Sequence, residues 1–428
     1  MKTLLPFILF LISIIVFAQD EINVKVNPPY QKQIKKIVNN KKVKQAFEII
    51  DQIDEETIND LIELTEIPAP PFMEEKRAER FMEMLKAAGA DKVWIDEEGN
   101  VLALRKGTAN NGKTIALDAH LDTVFPEGTD VKVKMKGDTL FAPGVGDDTR
   151  GLSMVIAILK SMEKAGIETE SDVVFVGSVG EEGLGDLRGV KHIFEKKEIT
   201  ADAWIAIDGG DIGRINNMGL GSYRYKVTFK GPGGHSWGAF GLANPHHAAG
   251  LAMAYFDQAA GEFTAQGPRT SYNVGRIGGG TSVNSIPFES WMEVDMRSVS
   301  PESLDKIDAI FKESMYKALE DYNKTVKKGE KLTVDIEKIG ERPSGELSEN
   351  LPLIQKAIAA TQHFGAEPNL TRGSTNSNIP ISLGIPAITI GRGGKGGGAH
   401  SLEEWWLNDN GAESIKLALL ILLSEAGL

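Results

Sequence analysis

Apolar residues recur along this chain in two rhythms, and the places where one gives way to the other divide it. In GLSMVIAILKSMEKAG, Leu152, Val155, Ile156, Ile158, Leu159 and Met162 fall at the three- and four-residue spacing of a helix with a wide apolar face. EETINDLIELTEI and MEEKRAERFMEMLKAAGA carry helical spacing too, and the second stops at Gly89. Around them lie short β-rich runs: KVWIDEEGNVLALR, TIALDAHLD, DVVFVGSVG, AWIAIDGGD and, far downstream, PAITIGRGG. Apolar runs alternating with helices predict an α/β fold, a mostly parallel sheet with helices on both faces. Between residues 219 and 338 the style changes. SYRYKVTFKG and SWMEVDMRS alternate apolar and polar positions, as half-exposed antiparallel strands do, and two long helical runs lie among them. This stretch reads as an α+β insert that splits the larger domain into pieces 19–218 and 339–428. The Lys- and Asn-rich residues from Asn27 to Lys44 read as a loose lead-in to the first helix.

The first residues have a pattern of their own. MKTLLPFILFLISIIVFAQD carries one Lys, an apolar run from Leu4 to Phe17, then Ala18 before polar sequence. That is the layout of a secretory signal peptide, residues 1–18, and the run is shorter than the roughly 18 residues of a membrane-spanning helix. An exported protein, periplasmic or secreted, is expected, with no stable membrane span once the leader is removed. The chain has 428 residues, 41% of them hydrophobic, which is too long for one ordinary domain. The formal net charge of −13, with no basic run, argues against nucleic acid as a partner. There is no Cys, so disulfides and a thiol nucleophile are excluded.

Candidate chemistry gathers where the strands run out, as it does in open α/β sheets. TIALDAHLDT ends in His120 and Asp122, and FAPGVGDDTRG sets Asp147 and Asp148 before a helix. DVVFVGSVGEEGLGD delivers Glu181 and Glu182, AWIAIDGGD ends in Asp208 and Asp211, and PAITIGRGGKGGGAHS carries His400. So many acids on one rim repel one another unless cations sit among them. Mixed His and carboxylate donors without sulfur suit zinc, with cobalt or manganese as substitutes.

The H-x-D, G-x-x-D-D and G-E-E-G motifs, the DGG after a strand and the late His, in this order, resemble the di-zinc exopeptidases and aminoacylases of metallopeptidase family twenty. That family includes peptidase T, glutamate carboxypeptidase and the desuccinylases, and the resemblance spans about residues 55–428. It implies a catalytic domain of di-zinc aminopeptidase type carrying an inserted dimerisation or lid domain, and two zinc ions per subunit. By the family pattern His120 and Asp208 bind one zinc, Glu182 and His400 bind the other, and Asp147 bridges both. Asp122 would hold the ring of His120. Glu181 would act as general base on a metal-bridging water, and the flanking glycines would allow the bend that separates it from Glu182. KGPGGHSWGAFGLANPHHA resembles the dimerisation motif in which His235 crosses to the partner subunit's active site and stabilises the oxyanion. GRIGGGTSVNSIP resembles the substrate-binding loop, so Asn284 would contact substrate and Arg297, in DMRS, would pair with a substrate carboxylate.

Neighbouring residues read more plainly. Asp148 is expected to cap a helix, Asp186 and Asp211 to be solvated, and His192, His246, His247 and His363 to lie at the surface or cap a helix. GRGGKG satisfies a dinucleotide fingerprint, but the helix, strand and acid that should follow are missing. Its glycines are read as letting the His400 loop approach the metals and as shaping a substrate pocket. Two positions depart from many relatives: Asn376 stands where they have Asp, and Thr149 where they have Lys. Asn376 is read as a position bearing on substrate preference. The expected activity is hydrolysis of short peptides by an exopeptidase. Deacylation of N-acyl amino acids is the alternative, and a non-catalytic binding protein on the same fold is a more distant one.

Overall fold

Strand Thr114–His120 occupies the middle of a nine-stranded sheet, with Asp172–Ser178 on one side and Ala203–Ile207 on the other, both parallel to it. Ala387–Ile390 adds a fourth parallel strand beside Ala203–Ile207. Antiparallel Val101–Arg105 and Lys92–Ile95 finish one edge; at the other, antiparallel Arg214–Gly219 is followed by Gly345–Glu346 and, in parallel, Asn369–Gly373. The sheet is therefore parallel at its centre, where nearly every strand residue is buried on both faces. The computed structural model describes residues 25–428, so the expected leader, 1–18, lies outside the described residues. Among those described, no helix is long and apolar enough to cross a membrane.

Helix Thr149–Lys164 is buried on almost every side because it packs on the central strand and is itself covered by helices Lys41–Gln52 and Asp54–Thr65. The closing helix Gly411–Ala426 is apolar nearly all round, as a helix packed among others must be. The expected loose lead-in is instead two helices, Pro28–Val38 and Lys41–Gln52. Their Lys and Asn residues face solvent, while Ile34, Ile37, Val43, Ala46, Ile49 and Ile50 join the main core. Charged positions hid an amphipathic pattern.

The second unit is a four-stranded antiparallel sheet ordered Thr270–Gly279, Glu289–Ser298, Gly221–Lys230, Thr333–Arg342. Strand Glu289–Ser298 alternates between buried and half-buried without a break. Its inward face, with Met292, Val294 and Met296, meets Phe256 and Phe311 of helices Pro245–Thr264 and Pro301–Thr325 in a core separate from the main one. The last strand continues past the expected boundary at 338 to Arg342, which pairs with Ser222. A smaller four-stranded sheet joins Lys395–Gly397, Trp405–Leu407, Thr139–Phe141 and Lys134–Lys136, and so ties the chain near Asp147 to the chain near His400.

Candidate metal centre

His120 closes the central strand and is almost fully buried. Its Nδ1 lies 3.0 Å from the carbonyl oxygen of Asp122 and 3.6 Å from that residue's Oδ1, which turns Nε2 outward over the sheet edge. Behind the strand end, the buried guanidinium of Arg77 donates to the carbonyl of Leu121 at 2.7 Å and to Ile67, fixing the segment between His120 and Asp122. Asp122 has a second task. Its Oδ1 accepts the amide of Glu181 at 3.0 Å and its Oδ2 the amide of Glu182 at 2.8 Å. One buried carboxylate thus orients the histidine and holds the glutamate pair. Its own carboxyl, which burial alone would push up, is brought below the usual range by His120 and by these amides.

Glu181 and Glu182 sit between Gly180, at φ +69°, and Gly183, at φ +51°. Both glycines occupy the left-handed region, so the backbone reverses on each side of the pair. A Cβ on Gly180 would also strike the side chain of Arg188 at 2.5 Å. After the bend Glu182 Oε1 is 2.9 Å from His400 Nε2, whereas Glu181 Oε1 is 3.3 Å from a guanidinium nitrogen of Arg342. Asp147 connects the groups: Oδ1 is 3.0 Å from His120 Nε2 and Oδ2 is 3.2 Å from His400 Nε2. Ligand atoms of His120, Asp147 and Asp208 lie within 4.8 Å of one another, as do those of Asp147, Glu182 and His400. Asp147 is common to both sets. A third set within the same limit is His120, Glu181 and Glu182.

The charges here are not settled by the protein alone. Burial pushes Glu181 up to about 8 against the pull of Arg342, and it raises Glu182 and Asp208 as well. Hydrogen bonds that His400 donates to Asp147 and Glu182 lift it to about 10. Burial would depress His120, but its bonds to Asp122 and Asp147 raise it well above the ordinary value. Protons are therefore retained at sites where cations would replace them. The donor set of imidazole and carboxylate fits divalent zinc, cobalt or manganese.

Asp148 behaves as a helix cap: its carboxylate accepts the amide of Gly151 at 3.2 Å, and its other oxygen the amide of His120 at 3.3 Å. Asp211 is exposed, as expected. Asp186 is not simply solvated. Both its oxygens accept the amide of Glu341 at 2.9 Å, and Lys191 pairs with it, so it fastens the glutamate loop to the second unit. His192 is largely buried beside Glu98 rather than at the surface, because its helix lays that face on the loop at Glu98. Asn376 is buried and donates to Asp118 Oδ2 and Ser178 Oγ, both at 2.7 Å. It thus supports the floor of the sheet beneath the site and is not among the cavity's lining residues. Thr149 is likewise internal, bonded to the carbonyl of Gly144 and to Thr65.

A cavity of about 400 Å³ opens over the acids and is lined by Val124, Ser374 and Thr375 besides the candidate ligands. Four arginines face it: Arg214, Arg224, Arg297 and Arg342. Arg297 Nε is held by Asp295 at 2.8 Å, and Arg224 by the other oxygen of the same aspartate at 3.0 Å. The residues 391–398 do not line it. Their glycines serve close approach instead, since a Cβ at Gly391 would overlap the carbonyl of Asp211 at 1.8 Å. His235 and Asn284 lie elsewhere. They sit on the two arms of a short exposed ribbon at the second unit, where His235 pairs with Ser285 and the carbonyl of Asn284 accepts the amide of Ser236. Arg342, Arg77 and Glu404 went unnoticed in the sequence. Nothing in local spacing marks them, although a lone Arg in an antiparallel strand and a Glu pair before WW are the traces they leave.

Residues 116–424 match Peptidase family M20/M25/M40 over well more than half of the chain. The chain belongs to this family. It is accordingly a metallopeptidase-type hydrolase of amide bonds, with a cluster of acids and histidines fit to bind metal. Among M20 relatives, the uncharacterised protein YqjE of Bacillus subtilis (strain 168) is 25% identical over 307 residues, 69% of this chain and 76% of its own. The crystal structure of aminopeptidase PepT from Bacillus cereus ATCC 10987 superposes with a TM-score of 0.68 at 21% identity, covering 87% of this chain and 99% of PepT. That of Bacillus subtilis YXEP, a dinuclear metal-binding peptidase of the M20 family, gives 0.63 at 17% identity, covering 88% and 100%. At these identities the two structures speak for the M20 fold.

Proposed function

We propose that the chain is an exported exopeptidase of short peptides that works with two divalent cations, zinc in the first instance. The observation that carries this reading is Asp147, whose two carboxylate oxygens lie against two different histidines, 3.0 Å from His120 and 3.2 Å from His400. His120 and Asp208 would hold one ion, Glu182 and His400 the other, with Asp147 between them. When bound, such ions would polarise the scissile carbonyl and acidify the attacking water. Glu181, buried and attached to no histidine, is the group left to take the proton from that water and return it to the leaving amine. Arg342 keeps its carboxylate turned into the cavity.

His235 is assigned to the partner subunit's cavity in a homodimer. Its Nδ1 accepts the amides of Trp237 at 3.2 Å and Gly238 at 3.3 Å, which leaves Nε2 as the N–H donor an oxyanion would need. Asn284, on the same ribbon, would reach substrate from there. Within the cavity, Arg297 with Arg224 would engage a substrate carboxylate, since among the described residues the Nη groups of Arg297 take no partner. The same arginines also favour a second reading, hydrolysis of N-acyl amino acids whose acyl group carries a carboxylate.

A cleavage screen of a mixed peptide library by mass spectrometry, in zinc, cobalt and manganese in turn, tests the assignment. Removal of terminal residues is expected. Turnover of acetyl- or succinyl-amino acids with no peptide cleaved would replace the exopeptidase reading by the second one. N-terminal sequencing of the mature protein tests export, with cleavage expected after Ala18.

A further inference from the structure

Glu404 follows His400 by four residues, is 1% exposed, and belongs to none of the candidate ligand sets. Its carboxylate collects three backbone amides from one loop. Oε1 accepts Gly146 at 2.8 Å and Asp147 at 2.9 Å, and Oε2 accepts Gly144 at 2.8 Å. The loop has little room to move from this arrangement. Gly144 is at φ +79°, and a Cβ on Gly146 would lie 2.6 Å from Arg392 Nη2 and 3.1 Å from Glu404 Oε1. Continuous with the carboxylate, the carbonyl of Glu404 accepts the amide of Ala142 at 3.1 Å, and strand Trp405–Leu407 pairs with Thr139–Phe141. The segments bearing Asp147 and His400 are thereby one folded piece, although some 250 residues separate them in the chain.

We propose that Glu404 is the positioning residue for Asp147, and that through it the two cation positions are coupled. The loop Gly144–Asp147 is wound around this carboxyl group, which sets the backbone from which Asp147 presents one oxygen to each histidine. The inference rests on the two-cation reading above. A carboxyl group offers an acceptor oxygen on each side of the loop where an amide offers only one, so Glu404→Gln should loosen the loop without emptying its space.

The test uses the full chain, stripped of metal, as wild type, Glu404→Gln, Glu404→Ala and the exposed control Glu403→Gln. Cobalt(II) titration followed by visible absorption, and zinc competition against a chromophoric chelator, read both positions without relying on turnover. Glu404→Gln keeps one carbonyl oxygen for Gly146 and Asp147 but turns an amide NH₂ towards the Gly144 N–H. Its affinity is expected to fall about 10- to 100-fold for both ions, with an altered cobalt spectrum. Glu404→Ala should fall further, and Glu403→Gln should match wild type. Should Glu404→Ala fail to fold, Glu404→Gln decides. Wild-type affinity and spectrum in a folded Glu404→Gln overturns the positioning role, and a loss confined to one ion overturns the coupling. A wild-type chain that takes up no cation overturns the two-cation reading and this inference together. Uptake by wild type with unaffected variants overturns this inference alone.

Discussion

Glu181 and Glu182 are chain neighbours of equal burial, yet one faces Arg342 and the other His400. Their separation follows from two left-handed glycines and from Asp122, which accepts both amides. Glu181→Gln should keep this framework and remove only the proton acceptor. A fall in kcat of about a hundredfold to ten-thousandfold is expected, with metal content by elemental analysis unchanged. Metal uptake itself should depend on pH. In the metal-free chain the bonds of Asp147 and Glu182 keep His400 protonated up to about 10, so at neutral pH a cation must displace that proton. Apparent affinity is therefore expected to rise with pH across the neutral range and to fall on acidification. Calorimetry in buffers of differing protonation enthalpy should reveal released protons, and an affinity indifferent to pH would contradict the assignment of His400.

At the scale of elements, the joint between the glutamate loop and the second unit is Asp186, bound to the amide of Glu341 and to Lys191. Asp186→Ala should cost about 0.5–1.5 kcal/mol in denaturant unfolding, since it removes the acceptor that ties the exposed amide of Glu341 to the glutamate loop. The parallel core was legible in the sequence because strands buried on both faces leave continuous apolar runs such as TIAL and VVFV. So were three of the candidate ligands, because His120, Glu182 and Asp208 end or closely follow such runs. Other features left no such mark. The helices from Pro28 to Gln52 carry charge on one face that masks the buried other face. Arg342 lies in a strand whose alternation is interrupted by a register shift between Lys338 and Gly340, so its inward direction could not be counted from its neighbours. Asn376 draws notice only by its departure from relatives, and its contact with Asp118, which gives it a supporting place, exists only across the sheet.

For the molecule as a whole, the proposed cations would stabilise the fold by relieving repulsion among the buried acids. Chelation should lower the melting temperature, and a cation at a hundred times its dissociation constant should restore about 2.7 kcal/mol. Thermal unfolding with and without zinc measures this. If His235 acts across a dimer, a mixed dimer of Glu181→Gln and His235→Ala subunits carries both defects in one site and leaves the other intact, so mixing the two should return activity that neither has alone. Light scattering that finds a fully active monomer would end that assignment. One further property follows from the small sheet that joins Thr139–Phe141 to Trp405–Leu407. Asp147 is translated first, and its brace and His400 emerge only some 250 residues later. A chain cut before Gly397 would lack His400, Glu404 and the strand that pairs with Thr139–Phe141, and is expected to bind no second cation however well its central sheet folds.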